Sequence, residues 1–228
     1  MKLYIGGKWS STWTMRGWLA CKLSGLDFDT ETIFLSREDS REKLEAVSPT
    51  GRIPVLLHDG QRITDTWAIA EYLWELAPDS DLWPRDRRAR TAARMIAGEM
   101  HGHFFELRYS LQMNLVKRWP IANGIPSNVK LLDKPGVRDQ VARVQKIWRT
   151  TRADWGAGGP YLFGERFCFA DAMYAPMASR FRTYSVETDP VSAAYIEACL
   201  DHPYVLEWIR GAEEQARELG WDAVAAWP

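Results

Sequence analysis

Two stretches decide how this chain is read: residues 48–57, Ser48-Pro49-Thr50-Gly51-Arg52-Ile53-Pro54-Val55-Leu56-Leu57, and residues 65–73, Asp65-Thr66-Trp67-Ala68-Ile69-Ala70-Glu71-Tyr72-Leu73. Between them His58-Asp59-Gly60 joins two short strand-like runs, Ile53 to Leu57 and Gln61 to Ile63, and Asp-Gly in that place is a strong hairpin signal. Asp65 to Leu76 then carries apolar residues at helical spacing until Pro78 stops it. Pro54 opens its strand, where the missing N–H is tolerated. A cis Ile53-Pro54 bond in this tight turn points the Ile53 N–H and C=O outward, where they pair with an extended peptide-like ligand as an added strand does.

Upstream, Lys2 to Ile5 reads as a strand ending at the Gly6-Gly7 turn, and Trp13 to Ser24 as a helix ended by Gly25. Asp27 to Leu35 reads as a second strand with Phe28, Ile33 and Phe34 as its apolar members, and residues 38–46 as a charged helical piece. The order β-α-β-α-β-β-α gives a mixed sheet with helices. Downstream, Pro78-Asp79-Ser80-Asp81-Leu82-Trp83-Pro84 is a polar linker bounded by prolines. Residues 86–116, 136–153, 169–185, 191–199 and 204–218 all read helical, with breaks at Trp119-Pro120, Ile125-Pro126, Gly156 to Pro160 and His202-Pro203. The expectation is two domains: α/β over residues 1–78 and all-α over residues 86–228.

Composition excludes several classes. Lys plus Arg number 29 against 30 Asp plus Glu, a net charge of -1 that leaves no footprint for nucleic acid or an anionic membrane. No apolar run approaches the ~20 residues of a membrane span, and the N-terminal apolar stretch is too short for a secretory signal. A cytoplasmic protein is expected. Cys21, Cys168 and Cys199 form no disulfide framework and no Cys-x-x-Cys motif. No carboxylate or cysteine stands at ligand spacing from His101 or His103, so no metal is expected. The row Arg85, Arg87, Arg88, Arg90 and Arg94 reads as a solvated face, with pairing to acids across a dimer interface as the next choice.

Two segments carry chemistry besides the proline loop. Asp65 and Thr66 open a helix whose free N–H groups and positive dipole end, with the Thr66 hydroxyl, suit a carboxylate. Asp65 suits an ammonium, and an α-amino acid group carries both charges. Trp9-Ser10-Ser11-Thr12-Trp13-Thr14-Met15-Arg16 places hydroxyls where the first helix begins. For each segment alone, helix capping is a sufficient explanation.

Together these segments resemble the cytosolic glutathione transferase family, over nearly the whole chain. Ser-Pro-Thr-Gly-Arg-Ile-Pro with Asp-Thr-x-Ala-Ile-Ala-Glu-Tyr-Leu looks like its glutathione-binding signature. Ser11-Thr12-Trp13-Thr14-Met15-Arg16 is similar to the serine-type loop of a bacterial subgroup, as are Glu99-Met100-His101-Gly102-His103-Phe104 and Phe169-Ala170-Asp171-Ala172-Met173-Tyr174-Ala175-Pro176 further on. The resemblance implies a thioredoxin-like N-terminal domain, an all-helical C-terminal domain, glutathione as co-substrate and a homodimer. It also implies that Ser11 faces the glutathione sulfur with Thr12 in reserve. Ile53, beside cis-Pro54, would pair with the cysteinyl backbone, Asp65 and Thr66 would hold the γ-glutamyl end, and Arg52 the glycyl carboxylate. The family often has Glu-Ser where Asp65-Thr66 stands. It has Ser or Thr where Cys168 precedes Asp171, so about 1 kcal/mol of capping is expected to be missing there.

The electrophile is expected between the domains, against Trp13, His101, Phe105 and Arg108, while Met100, Phe104, Leu107 and Leu111 form a core stripe. A free thiol with a pKa of ~8.5 needs ~2.7 kcal/mol of preferential thiolate stabilisation to fall by ~2 units. One hydrogen bond to the anion contributes ~1.5–3 kcal/mol and a helix N-terminus ~0.3–1, so no general base is needed. Conjugation of glutathione to small electrophiles is the leading reading. A glutathione-dependent isomerase of the maleylacetoacetate type and a non-catalytic binding protein on the same fold are the alternatives.

Overall fold

The computed structural model describes residues 1–35, 37–116, 121–122, 125–126 and 129–220. Strands β1 (Lys2–Ile5), β2 (Asp29–Thr32), β3 (Val55–His58) and β4 (Gln61–Thr64) form one sheet in the order β2-β1-β3-β4. β1 and β2 run parallel and therefore need a crossover, which helix α1 (Thr12–Ser24) supplies. β3 lies antiparallel to both β1 and β4, and its turn into β4 uses positive φ at Asp59 (47°) and Gly60 (74°), as a two-residue hairpin requires. Leu3, Ile5, Val55 and Leu56 are fully buried. Helix α2 (Ser40–Val47) buries no residue, whereas α3 (Thr66–Leu76) packs closely against α1.

The second strand is shorter than its sequence suggests. Asp29 to Glu31 are exposed, and Phe28, Ile33 and Phe34 stand just outside the paired segment. β2 is an edge that pairs only with β1, so its own side chains face water while its apolar anchors sit at the ends.

The C-terminal domain is helical: α4 (Arg87–Gly102), α5 (Phe105–Ser110), α6 (Val129–Leu132), α7 (Val137–Trp155), α8 (Phe169–Thr183), α9 (Pro190–Leu200) and α10 (Pro203–Glu218). Two-residue strands β5 (Ile121–Ala122) and β6 (Ile125–Pro126) pair before α6. The expected break at Trp119-Pro120 lies outside the described residues. α8 is the hub. Nearly all its residues are buried, and it packs on α1, α4 and α9.

One helix was expected over 86–116, but the chain breaks after Gly102, where Phe104 takes a left-handed conformation (φ 64°, ψ 35°). The break leaves Met100, Phe104, Leu107 and Leu111 all buried, so the apolar spacing runs through it unchanged and hides it. Arg108 donates to the carbonyls of His101 (3.5 Å) and His103 (3.3 Å), two acceptors left open at the end of α4.

The polar linker is a packed joint. Leu82 and Trp83 are buried, Leu82 O accepts the Phe169 N–H at 2.8 Å, and the Trp83 ring meets Phe169 edge-on at 5.3 Å. Arg94 departs from the expected solvated face. It makes a two-pronged pair with Glu71 of α3 (2.8 and 3.2 Å), and its guanidinium lies over the Trp74 ring (5.0 Å). Arg90 donates to the Pro84 and Arg85 carbonyls. Arg87 and Arg88 remain exposed.

The start of α8 keeps a capping box with Cys168 in the place of Ser or Thr: its side chain faces the Asp171 N–H while the Asp171 carboxylate takes the Cys168 N–H. Buried Asp171 accepts the Cys168 N–H (3.0 Å), the Leu162 N–H (3.1 Å) and the Tyr195 hydroxyl (3.1 Å), pinning the loop before the helix to its first turn. His202 caps α10 by accepting the Tyr204 N–H and stacks on Phe167 at 4.1 Å.

Burial there pulls the His202 imidazole down to about 4 from 6.5. The native state thus favours neutral His202, so its contribution is complete above the unfolded-state value and is lost as pH falls from about 6.5 to about 4. The loss is expected to reach on the order of 2–3 kcal/mol, discounted for partial exposure. Urea unfolding at pH 7 and pH 4.5 checks this, because H202N keeps a capping acceptor and should show a smaller difference between the two pH values. An equal difference in both proteins rules the effect out.

Candidate active site

The proline loop is fixed from below. Ser48 Oγ donates to the Arg52 carbonyl (2.6 Å) and accepts the Arg52 N–H (3.0 Å), closing the turn ahead of Ile53. The Ile53–Pro54 bond is cis, and the sheet ladder begins only at Val55, so the Ile53 N–H and C=O take no part in it. Pro54 is buried against α1. A Cβ added to Gly17 would stand 2.9 Å from Pro54 Cγ, so only glycine lets the helix approach this closely. The Arg52 side chain is exposed.

Ser11 is the N-cap residue of α1, yet its side chain makes no capping hydrogen bond. A Cβ added to Gly6 would lie 3.1 Å from Ser11 Oγ and 3.0 Å from Ile53 Cδ1, so the hydroxyl and the Ile53 side chain converge above the end of β1. Thr12, one residue on, faces elsewhere. It lines a cavity of about 440 Å³ between the domains, together with Ser10, Phe105, Arg108, Tyr109, Gln112, Met113 and Arg180. Of the two neighbouring residues, Thr12 is among the cavity's lining residues and Ser11 is not.

Asp65 sits before α3 with φ 72° and ψ 134°, outside the regions a non-glycine residue favours. Its Oδ1 accepts the Trp67 N–H at 2.8 Å, and its Oδ2 lies 3.3 Å from Nε2 of His101. Burial pushes this carboxyl up, but the hydrogen bonds from His101 and Trp67 outweigh it, and the group is held below its usual range. Thr66 does not offer its hydroxyl proton to a ligand. The residue is 1% exposed, and its Oγ1 donates to the Trp13 carbonyl at 3.2 Å.

Of the four residues expected against an electrophile, Phe105 and Arg108 line the cavity, and Trp13 and His101 are not among its described lining residues. The Arg108 guanidinium lies over the Trp13 ring at 4.7 Å and the Phe105 ring at 5.5 Å. Trp13 also carries Arg16 at 4.6 Å.

Two cationic residues were missed by sequence reasoning. Arg180, 3% exposed, holds its cavity position by donating to the Leu111 (2.7 Å) and Pro176 (3.0 Å) carbonyls. Burial, then repulsion from Arg108, pulls it down to about 9. Arg16 is fully buried. Its Nε donates to the Met173 carbonyl (2.9 Å), while Nη1 and Nη2 have no partner, and burial with repulsion from Arg180 and Arg108 pulls it well down. Among the described residues no carboxylate lines the cavity. An arginine on an apolar helix gives no sequence signal of where its charge points, so these two were invisible beforehand.

The three cysteines are free and buried, and burial pushes the Cys21 thiol up, away from nucleophilic use. Among the described residues no group of three or more His, Cys, Asp or Glu side chains stands ready to hold a metal ion. No helix among them is long and apolar enough to cross a membrane.

Comparison with known proteins matches residues 10–76 to the glutathione S-transferase N-terminal domain and residues 131–211 to the glutathione S-transferase C-terminal domain. A probable maleylacetoacetate isomerase of Caenorhabditis elegans is 37% identical over 95 residues, 42% of this chain and 44% of that relative, so the match spans less than half of its length. The maleylacetoacetate isomerase of Rattus norvegicus is 26% identical over 191 residues, 82% of this chain and 81% of the relative. Among solved structures, a Burkholderia glutathione transferase homologue with bound glutathione superposes with a TM-score of 0.64 at 24% identity, covering 93% of this chain and 98% of that one; at this identity the likeness speaks for the fold.

Proposed function

Because this chain belongs to the glutathione S-transferase family, whose two domains match well over half of it, we propose that it binds glutathione along the Ile53–Pro54 edge of the sheet and transfers the ionised thiol to small electrophiles. The observation that carries this reading is Ser11. Its hydroxyl has no capping role, stands at the N-terminus of α1, and meets Ile53 where the sheet ladder stops.

In this reading the Ile53 backbone pairs with the cysteinyl residue as an added strand would, and Asp65 takes the γ-glutamyl ammonium. The α3 N-terminus takes the neighbouring carboxylate through its backbone N–H groups, since the Thr66 hydroxyl proton goes to Trp13. Arg52 is free to reach the glycyl carboxylate. Ser11 donates its proton in a hydrogen bond to the sulfur and is not itself a nucleophile. The thiol proton leaves to solvent, the sulfur pair forms the new bond to carbon, and a leaving group departs with its own pair. Thr12, Phe105 and Arg108 face the electrophile.

A second reading, glutathione-dependent cis-trans isomerisation of an acid, gains support from one observation. Arg108 and Arg180 line the cavity with no acidic residue among its described lining residues. Thiolate addition to the double bond, rotation about the resulting single bond and expulsion of the thiolate return glutathione unchanged. Membership of a serine-type bacterial subgroup, a cytoplasmic setting and a homodimer complete the proposal. Exposed Met95 on α4 and Leu76 on α3 support the last.

Three measurements follow. Glutathione mixed with the protein at pH 7 should show added ultraviolet thiolate absorbance that S11A loses, with T12A close to the unmutated protein; the reverse pattern moves the sulfur to Thr12. R108A should lower kcat/KM for an unsaturated dicarboxylate about ten- to hundredfold, the cost of one hydrogen bond to a charged group, while sparing neutral electrophiles. Equal losses for both substrate classes remove the case for an acidic substrate. Sedimentation should give a species of twice the 26.2 kDa chain mass, and a monomer alone counts against the dimer.

A further inference from the structure

We infer that His101 is a positioning residue for the amine end of glutathione: it reaches across from the helical domain and holds the Asp65 carboxylate in place, instead of touching the electrophile. This rests on the glutathione reading above and assigns that site a member that the pattern of residues around it did not suggest.

His101 lies in the last turn of α4, and its Nε2 lies 3.3 Å from Asp65 Oδ2. The ring is held by two tryptophans from the opposite domain, Trp13 of α1 at 5.0 Å and Trp67 of α3 at 6.3 Å. Its other nitrogen, Nδ1, is buried and has no hydrogen-bond partner among the described residues. A ring with one nitrogen enclosed and the other beside a carboxylate carries its donor proton on the latter, so Nε2–H points to Asp65.

Asp65 needs that second donor. Its backbone sits at φ 72°, and the Trp67 N–H restrains only Oδ1. With His101 on Oδ2, the carboxylate is held from the helical domain as well as by the Trp67 and Ala68 N–H groups of its own helix. An ammonium then meets a carboxylate already oriented, and less conformational freedom is lost on binding. The side chain of Asp65 remains half exposed, so it is open to a ligand while so held. His101 does not line the cavity, which separates it from the residues that face the electrophile.

The test compares H101L, which keeps bulk without a donor, with H101Q, whose amide reaches about as far as Nε2. Glutathione affinity is read by titrating tryptophan fluorescence, and turnover by steady-state kinetics with a neutral electrophile. H101L should weaken glutathione about tenfold, the effect of one lost hydrogen bond to a charged group, with kcat and the electrophile KM within twofold of the unmutated protein. H101Q should restore most of the affinity, and H101L should add nothing further in a D65N background. H101N, whose amide stops short of Asp65, gives the same readout should leucine impair folding. Unchanged glutathione affinity in H101L and H101N, a loss that persists in full with D65N, or a raised electrophile KM instead would overturn the assignment. Absence of glutathione binding by the unmutated protein would bring down the functional reading first, and this role with it.

Discussion

Helix α1 has to lie against two different surfaces at once. Gly17 brings it onto Pro54 of the sheet domain, at a distance that admits no side chain. Elsewhere it packs on α8, the most enclosed helix of the other domain, and Arg16 donates to the Met173 carbonyl there. That double contact sets where the helix begins, and with it the separate aims of Ser11 and Thr12. It leaves Ser11 above Gly6 beside Ile53 and Thr12 on the wall of the cavity. A larger residue at position 17 would lift the helix from the proline loop and move both hydroxyls together.

Charge is distributed unequally around this wedge. Exposed pairs such as Lys2–Glu31 and Arg138–Asp133 contribute little, because water screens them and long side chains lose freedom in forming them. The consequential charges are buried. Among the described residues the hydrogen bonds of Arg16 and Arg180 go to carbonyls, Arg16 also lies over the Trp13 ring, and Arg108 adds a third cation nearby. Buried cations without counter-ions are costly, and such groups persist where a ligand or solvent anion completes them. Beside the proline loop the balance is opposite: one carboxylate, Asp65, is held ionised by hydrogen-bond donors. The two spaces therefore favour ligands of different charge. Cys21 is buried, and burial pushes its thiol up, which takes it out of nucleophilic use.

Much of the architecture is legible in local patterns. Asp59-Gly60 between strand-like runs, Gly25 after the first helix and Pro78 after the third are local signals, because each depends on the φ that its own residue allows. The break between α4 and α5 escapes the same reading, since Met100, Phe104, Leu107 and Leu111 keep helical spacing across it. The linker misleads for a related reason. Its polar composition is real, but Leu82 and Trp83 are enough to anchor it in the core.

What the residues alone determined is the order of elements, the proline loop, and the hydroxyl pair ahead of α1, all features that depend on neighbours a few positions apart. Only the tertiary structure shows that Ser11 stands beside Ile53 while Thr12 lines the cavity, that Thr66 donates to the Trp13 carbonyl, that His101 reaches Asp65 and that Arg180 joins Arg108. These partners lie 36 to 168 positions apart in the chain: Thr66 pairs back to Trp13, His101 to Asp65, and Arg180 shares its cavity with Thr12. No local propensity encodes such meetings; they follow from how α1, α4 and α8 pack.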